Sequence, residues 1–365
     1  MISLSVAGKE LSQQYYAQVV GPIIESRYPG LVVSAALLGP GSEVLGFDDP
    51  ISTDHNWGPR LNLFLSEEDH ARLAVELWST LANELPLEFY GYPTHFQPSP
   101  LDPGSLVPVA AEGHPISHQV EIMTLPGFMQ QTIGTDFTQA LTLRDWLLIP
   151  LQNLRTLAKG PVFDDGLEVL LPMQRMLSYY PHDVWLYLLS AQWQRIGQEE
   201  HLFGRAGMVG DDTGSAVITA RLVRDLMRLG LLMEKQYAPY PKWFGTAFSR
   251  LFCAERLAPL LRRVLAADDW VAREQALGLA YELMAGLHNE LGITEAVPDR
   301  VSRFYGRPFV VIQGEQIART IWQAITDKEV KALPFGVGKV DQYLDSTDVL
   351  SSITRCRSLG AVYEI

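Results

Sequence analysis

The chain has 365 residues, a length at which a single hydrophobic core stops growing comfortably, so two domains are expected. Its 42 acidic residues outnumber its 29 basic ones for a net charge of -13, which argues against a nonspecific grip on phosphate backbones and makes naked DNA or RNA a poor first expectation. Two cysteines, Cys253 and Cys356, are too few for a disulfide framework and lack the spacing of a zinc site, so both read as buried or incidental thiols. The first ten residues lack the basic start and apolar core of a signal peptide, and no run of about eighteen apolar residues follows. The expectation is a cytoplasmic protein with no membrane partner.

In residues 10–28 apolar side chains recur at helical spacing (Leu11, Tyr15, Val19, Ile23), and Pro29-Gly30 supplies the stop. Residues 31–38 are short, apolar and glycine-bounded, the pattern of a buried strand, and Gly39-Pro40-Gly41-Ser42 forces a turn. A second strand is expected over about residues 55–65. An amphipathic helix over 67–85 follows, with Ser66 as its N-cap. Residues 86–115 are rich in Pro, Gly and aromatics, and Gln119 to Thr124 resume strand alternation.

Beyond Thr138 long helical patterns follow one another, broken near residues 160–165, 181–182 and 210–215, which places the expected domain boundary at 138/139. Residues 307–312 can add a short strand. The predicted class is α+β: a small mixed sheet in residues 1–138, then a mainly α-helical domain in 139–365 that closes over the site.

The chemistry concentrates in residues 38–60, LGPGSEVLGFDDPISTDHNWGPR. A Gly41-Ser42 turn lets backbone amides and a hydroxyl approach a triphosphate. Asp54 and Asn56, two apart on the expected strand, would emerge on one face and reach the same ion. Magnesium suits such a site because it prefers oxygen ligands and keeps waters while holding substrate phosphates. Glu121, displayed between apolar neighbours on a strand, is the candidate third carboxylate.

These residues resemble the nucleotidyltransferase superfamily related to DNA polymerase beta, whose motif is Gly-Ser, an interval of about a dozen residues, then Asp-x-Asp. More narrowly, GSEVLGFDDPISTDHNWGPR, YYPHDVWLYLLSAQW, YAPYPKWFGTAF and VDQYLDSTDVL resemble an uncharacterised bacterial group of nucleotidyltransferase-like proteins bearing a domain of unknown function. The resemblance implies transfer of a nucleoside monophosphate from a nucleoside triphosphate such as ATP to a small-molecule or protein acceptor. In that reading Gly41 and Ser42 hold phosphates, while Asp54, Asn56 and Glu121 bind Mg2+ or Mn2+, with Asp54 and Glu121 catalytic. Position 56 departs from the motif by carrying Asn in place of a second carboxylate. The alternative is therefore a catalytically degenerate, nucleotide-binding or regulatory protein.

Other residues carry paired readings. Asp48 or Asp49 can replace the missing carboxylate or merely shape an Asp-Pro turn. Arg60 could pair with a phosphate or with a neighbouring carboxylate. Lys242, flanked by Tyr240 and Trp243, could meet a triphosphate beside an aromatic wall or snorkel at a helix start. Gly214-Ser215 reads as a helix N-terminus capped by Ser215. Glu199, Glu200 and His201 could supply a general base or be solvated helix surface. Arg175 and His182 superficially match the spacing of a helical ribonuclease, but Pro181 would interrupt the required helix.

Overall fold

The computed structural model describes residues 6–102 and 104–363 and has an α+β architecture with a small mixed sheet and a largely helical C-terminal part. It divides into two compact units. One comprises the described residues of Met1–Ala140 together with Gln152–Ser178, and the other comprises those of Leu141–Leu151 and Tyr179–Ile365.

The first unit opens with α1 (Gly8–Tyr15) and α2 (Gly21–Arg27), joined by a π-helical turn, Tyr16–Val20. A π turn adds a residue to the helical repeat, so the apolar stripe shifts by one position. Leu11 and Tyr15 are buried as their spacing predicts, but Val20 and Ile24 follow them into the core instead of Val19 and Ile23, which are only partly buried. The chain then turns at Gly30, where φ is +88°.

The main sheet has four strands: β1 (Ser34–Ala36), β2 (Arg60–Phe64), β3 (Gln119–Met123) and β4 (Val162–Asp165), in spatial order β3-β2-β1-β4. β1 is antiparallel to β2, with Ala36 opposite Asn62, and antiparallel to β4, with Ser34 opposite Asp165. β2 is parallel to β3, with Asn62 opposite Glu121. Strand alternation sends Val33, Ala35, Leu61, Leu63 and Val120 into a core shared with Leu11, Tyr15 and with Leu77 and Leu81 of α3 (Glu67–Glu84). The same alternation leaves Arg60 and Asn62 on the opposite face. Ser66 caps α3, accepting from the Asp69 amide at 3.0 Å, as its sequence position predicts.

The domain boundary expected at 138/139 is crossed by residues 152–178. Their segment 160–165, read in the sequence as a break between helices, is the strand β4 that completes the sheet. Periodicity over four residues flanked by Gly160 and Gly166 is too short to separate strand from loop; only pairing with β1 decides it.

In the second unit α4 (His182–Glu199) lies against a helix at Gly314–Ala324, and the crossing is close because Gly197 faces Gly314. A Cβ on either glycine would press into the other helix's backbone. The Ser190 hydroxyl donates across it to the Ala318 carbonyl at 2.8 Å. The long helix Asp212–Met233 begins four residues earlier than expected, capped by Asp211 at the Gly214 amide, so Ser215 is a buried helical residue and not the cap. Cys253 and Cys356 are both free and buried. Among the described residues no helix is long and apolar enough to cross a membrane.

Candidate functional site

Past β1 the chain runs through Leu37 and Leu38 into the glycine turn. The Leu38 amide donates to Asn62 Oδ1 at 2.7 Å, prolonging the strand pairing with a side chain. Gly39 and Gly41 then adopt φ of +95° and +144°, angles open essentially to glycine, and the Ser42 carbonyl accepts from the Phe47 amide at 2.9 Å to close a compact loop. The turn expected at Gly41-Ser42 therefore forms at the end of β1, beside the start of β2.

Arg60, the first residue of β2, lies over this turn. Its Nε donates to Glu43 Oε1 at 2.8 Å, its Nη2 donates to the same carboxylate, and Nη2 also donates to the Pro40 carbonyl at 2.7 Å. Glu43 is almost fully buried and Arg60 largely so. A Cβ at Gly41 would collide with the guanidinium and with the Glu43 carboxylate. Of the two readings open for Arg60, the geometry takes the ion pair: its charge is already matched, and the pair lines the turn that a phosphate would approach.

Asp54 and Asn56 are not on a strand. Residues Pro50–Asp54 form a 3₁₀ turn held by a capping box, in which Asp49 Oδ1 accepts from the Ile51 and Ser52 amides at 3.0 and 2.9 Å. Asp54 ends that turn with an exposed side chain facing His55 at 2.9 Å. Asn56 sits at φ +48°, a left-handed angle that Asn tolerates better than most residues. Its Oδ1 accepts from the Leu106 amide at 2.8 Å, its own amide donates to the Leu106 carbonyl at 2.7 Å, and its Nδ2 donates to Ser105 Oγ at 3.3 Å. Asn56 thus pins the hairpin formed by His95–Pro98 and Leu106–Val109.

Gly58, at φ +138°, and Pro59 delay the strand to Arg60. The same-face, two-apart strand pair expected at positions 54 and 56 is consequently Arg60 and Asn62. Pro59 has no amide to give a ladder, a sequence signal that could have moved the strand start. Asp48 and Asp49 take the turn-shaping role: Asp48 Oδ2 accepts from the Gly8 amide at 2.8 Å and from Trp57 Nε1 at 3.3 Å, and Asp49 holds the capping box.

Glu121 does lie on a strand, next to Asn62, whose Nδ2 donates to Glu121 Oε2 at 3.1 Å. Asn62 is buried and Glu121 exposed. Asn62, absent from the sequence candidates, is the residue that ties the β1 end to β3. Lys242 belongs to the second unit, where it is exposed at the start of the helix Pro241–Ser249 with Nζ 5.0 Å from the Trp243 ring centre.

The proposed magnesium ligands do not fit the ion as placed. The Asn56 oxygen is spent on a backbone amide, Asp54 faces His55, Glu121 faces Asn62, and among the described residues no three His, Cys, Asp or Glu side chains converge. What the arrangement can do is offer a glycine-rich backbone turn bordered by one arginine, one buried carboxylate and an amide-carboxylate pair.

The second unit's candidate base also resolves into structure. Burial pushes the Glu200 carboxyl up to about 7, against the pull of backbone amides it accepts from, Ile312 at 2.7 Å and Gly314 at 3.0 Å. Glu200 caps the helix Gly314–Ala324 from a buried position. Glu199 pairs with Arg221, and His201 stacks on Phe304. Arg175 lies on Leu170–Met176, a different helix from His182, with Pro181 at the N-cap of α4.

A family model described as a domain of unknown function (DUF4037) matches residues 146–244. Among solved structures, a nucleotidyltransferase-like protein from Exiguobacterium sibiricum 255-15 matches 78% of this chain and 74% of its own at 10% identity, with a TM-score of 0.31. No curated protein matches the chain. The family match covers β4, α4 and the whole of the helix Asp212–Met233, and none of the Gly-Ser segment.

Proposed function

We propose that this chain is a nucleotidyltransferase-type protein whose Gly41-Ser42 turn receives the phosphates of a nucleoside triphosphate. The observation that carries the reading is the juxtaposition at one end of the sheet: a β1 end that breaks into positive-φ glycines, beside β2 and a parallel β3 bearing Glu121. Backbone amides of a glycine-rich turn are suited to phosphate oxygens. Arg60 sits at the turn with Nε and Nη2 committed to Glu43 and Pro40, so a phosphate there would accept from Nη1.

Of the two forms this activity can take, the geometry favours the binding or regulatory one. The Asn56 clamp and the separate engagements of Asp54 and Glu121 support it over transfer to an acceptor through Mg2+ or Mn2+. The transferase form, with a small molecule or a protein as acceptor, requires Asp54 and Glu121 to leave His55 and Asn62 and converge.

Calorimetric titration of a panel of nucleoside triphosphates, with and without magnesium, tests the reading. The expected result is binding of one triphosphate that persists in Asp54→Ala and is lost when Gly41 or Arg60 is changed in a variant shown to be folded. Binding that vanishes in Asp54→Ala or without magnesium, with pyrophosphate release, restores the transferase form. Absence of binding to every triphosphate ends both.

A further inference from the structure

In a chain of net charge -13, residues 300–314 hold three arginines, Arg300, Arg303 and Arg307, and no acidic residue. The second unit folds this segment into a hairpin, with Ser302–Arg303 paired to Val310–Val311. Its tip is a tight turn in which the Arg307 amide donates to the Phe304 carbonyl at 2.9 Å. Both central residues are left-handed, Tyr305 at φ +47° and Gly306 at φ +74°. That is the pattern of a type I′ turn, for which Asn-Gly is the favoured pair; a bulky tyrosine at the first position is strained. The fold recovers little from it, because Tyr305 is 89% exposed and its ring meets only the Phe304 ring, edge-on at 4.7 Å between centres.

Below the tip the hairpin is firmly seated. Phe304 stacks on His201 at 4.5 Å and on Phe309 at 5.9 Å. Glu274 and Glu282, both half-buried, accept from the Val310 and Val301 amides at 2.9 and 3.2 Å, and buried Glu200 accepts from the Ile312 amide. Glu282 also pairs with Arg300 at 2.9 Å, and exposed Asp299 precedes that arginine. The carboxylates that touch the hairpin are thus turned to its backbone, while its other cations face solvent. Arg303 and Arg307 are exposed, as is Arg205 one helical turn beyond His201, and none of the three has an ion-pair partner among the described residues. Burial and the charge of Arg307 hold His201 below its usual range, which places that guanidinium at the same stack.

We propose that this hairpin tip is a contact surface for single-stranded nucleic acid, with a base stacked on Tyr305 and phosphates accepting from Arg303, Arg307 and Arg205. Residues 305–308 are all exposed, a protruding tip that encloses no small ligand, so its unmatched arginines suit a chain of phosphates. A free aromatic ring offers a face on which any base can stack and for which an acidic peptide has no use. A single strand has unstacked bases to present, whereas those of a duplex are already stacked. The surface is independent of the Gly-Ser reading.

Fluorescence anisotropy of a labelled, mixed-sequence single strand of about ten nucleotides, titrated with the full chain at several salt concentrations, tests this. The expected result is binding with a logarithmic salt slope of about -2, from three phosphates at about -0.7 each. Arg303→Ala and Arg307→Ala should each make the slope shallower by about 0.7. Tyr305→Asn should weaken binding at least about fivefold at unchanged slope, the smaller value of one stacked base. Asn is the residue such a turn prefers, so the same variant should keep or raise the unfolding midpoint, which separates lost binding from lost folding. Tyr305→Trp should keep the binding. Polyglutamate that displaces the strand at equal charge concentration identifies an acidic-protein surface and overturns the proposal. So does absence of binding at low salt, or binding that Tyr305→Asn and Arg307→Ala leave unchanged.

Discussion

Replacing Asn56 with Asp would restore the carboxylate that a nucleotidyltransferase motif carries, and the structure argues that the change harms the fold instead. Asn56 Nδ2 donates to Ser105 Oγ at 3.3 Å, while the Ser105 hydroxyl donates its proton to Asp102. An aspartate has no donor there, so two carboxylates would compete for one hydroxyl proton. The lost neutral hydrogen bond is worth about 1 kcal/mol. The new repulsion adds about 0.5–1 kcal/mol, kept small because Asp102 is exposed. The bond from the Leu106 amide survives and becomes charge-assisted, offsetting part of the loss. Asn56→Asp should therefore lower stability by about 1–2 kcal/mol, read as a lower urea midpoint at unchanged slope. Asp102→Asn in the same background should recover part of it, because the second negative charge is gone. The reasoning is refuted if Asn56→Asp is as stable as the parent, or gains magnesium-dependent binding of a nucleoside triphosphate.

Further outcomes can be checked with the same unfolding assay. Arg60→Met leaves buried Glu43 without its cation and should cost about 3–5 kcal/mol, with the double change Arg60→Met/Glu43→Leu less damaging than the single. Gly41→Ala combines a φ of +144° with a collision against the Arg60–Glu43 pair, and should cost at least about 2 kcal/mol. Glu200 and His288 tilt the pH profile in opposite senses. Glu200, raised from 4.5 to about 7, favours the folded state at low pH, and its contribution is lost as pH rises through that window. Burial lowers His288 from 6.5 to about 4, so its contribution is present above 6.5 and is lost as pH falls towards 4. Between pH 4.5 and 6.5 the two slopes oppose each other. Glu200→Gln should expose the acid-side loss, and His288→Gln the opposite slope; two variants with the parent's profile would disprove the assignment.

The sequence by itself determined the fold class, the helix stop at Pro29-Gly30, the Ser66 cap and the turn at Gly41-Ser42. Each depends on local backbone chemistry or on periodicity sustained over many residues. It also placed Glu121 on a strand, because Val120 and Ile122 alternate around it. Tertiary structure decided the rest. The strand start at Arg60, the use of Asn56 as a hairpin clamp and the recruitment of Val162–Asp165 into the sheet all depend on which distant backbone supplies the hydrogen bonds. A side chain's partners lie outside its local sequence, so Arg60 reads equally well as a phosphate ligand or an ion-pair partner until Glu43 is seen beneath it. Buried Lys339 is the extreme case: it donates to the Ile149 carbonyl, 190 positions away in the chain, a partner that only folding supplies.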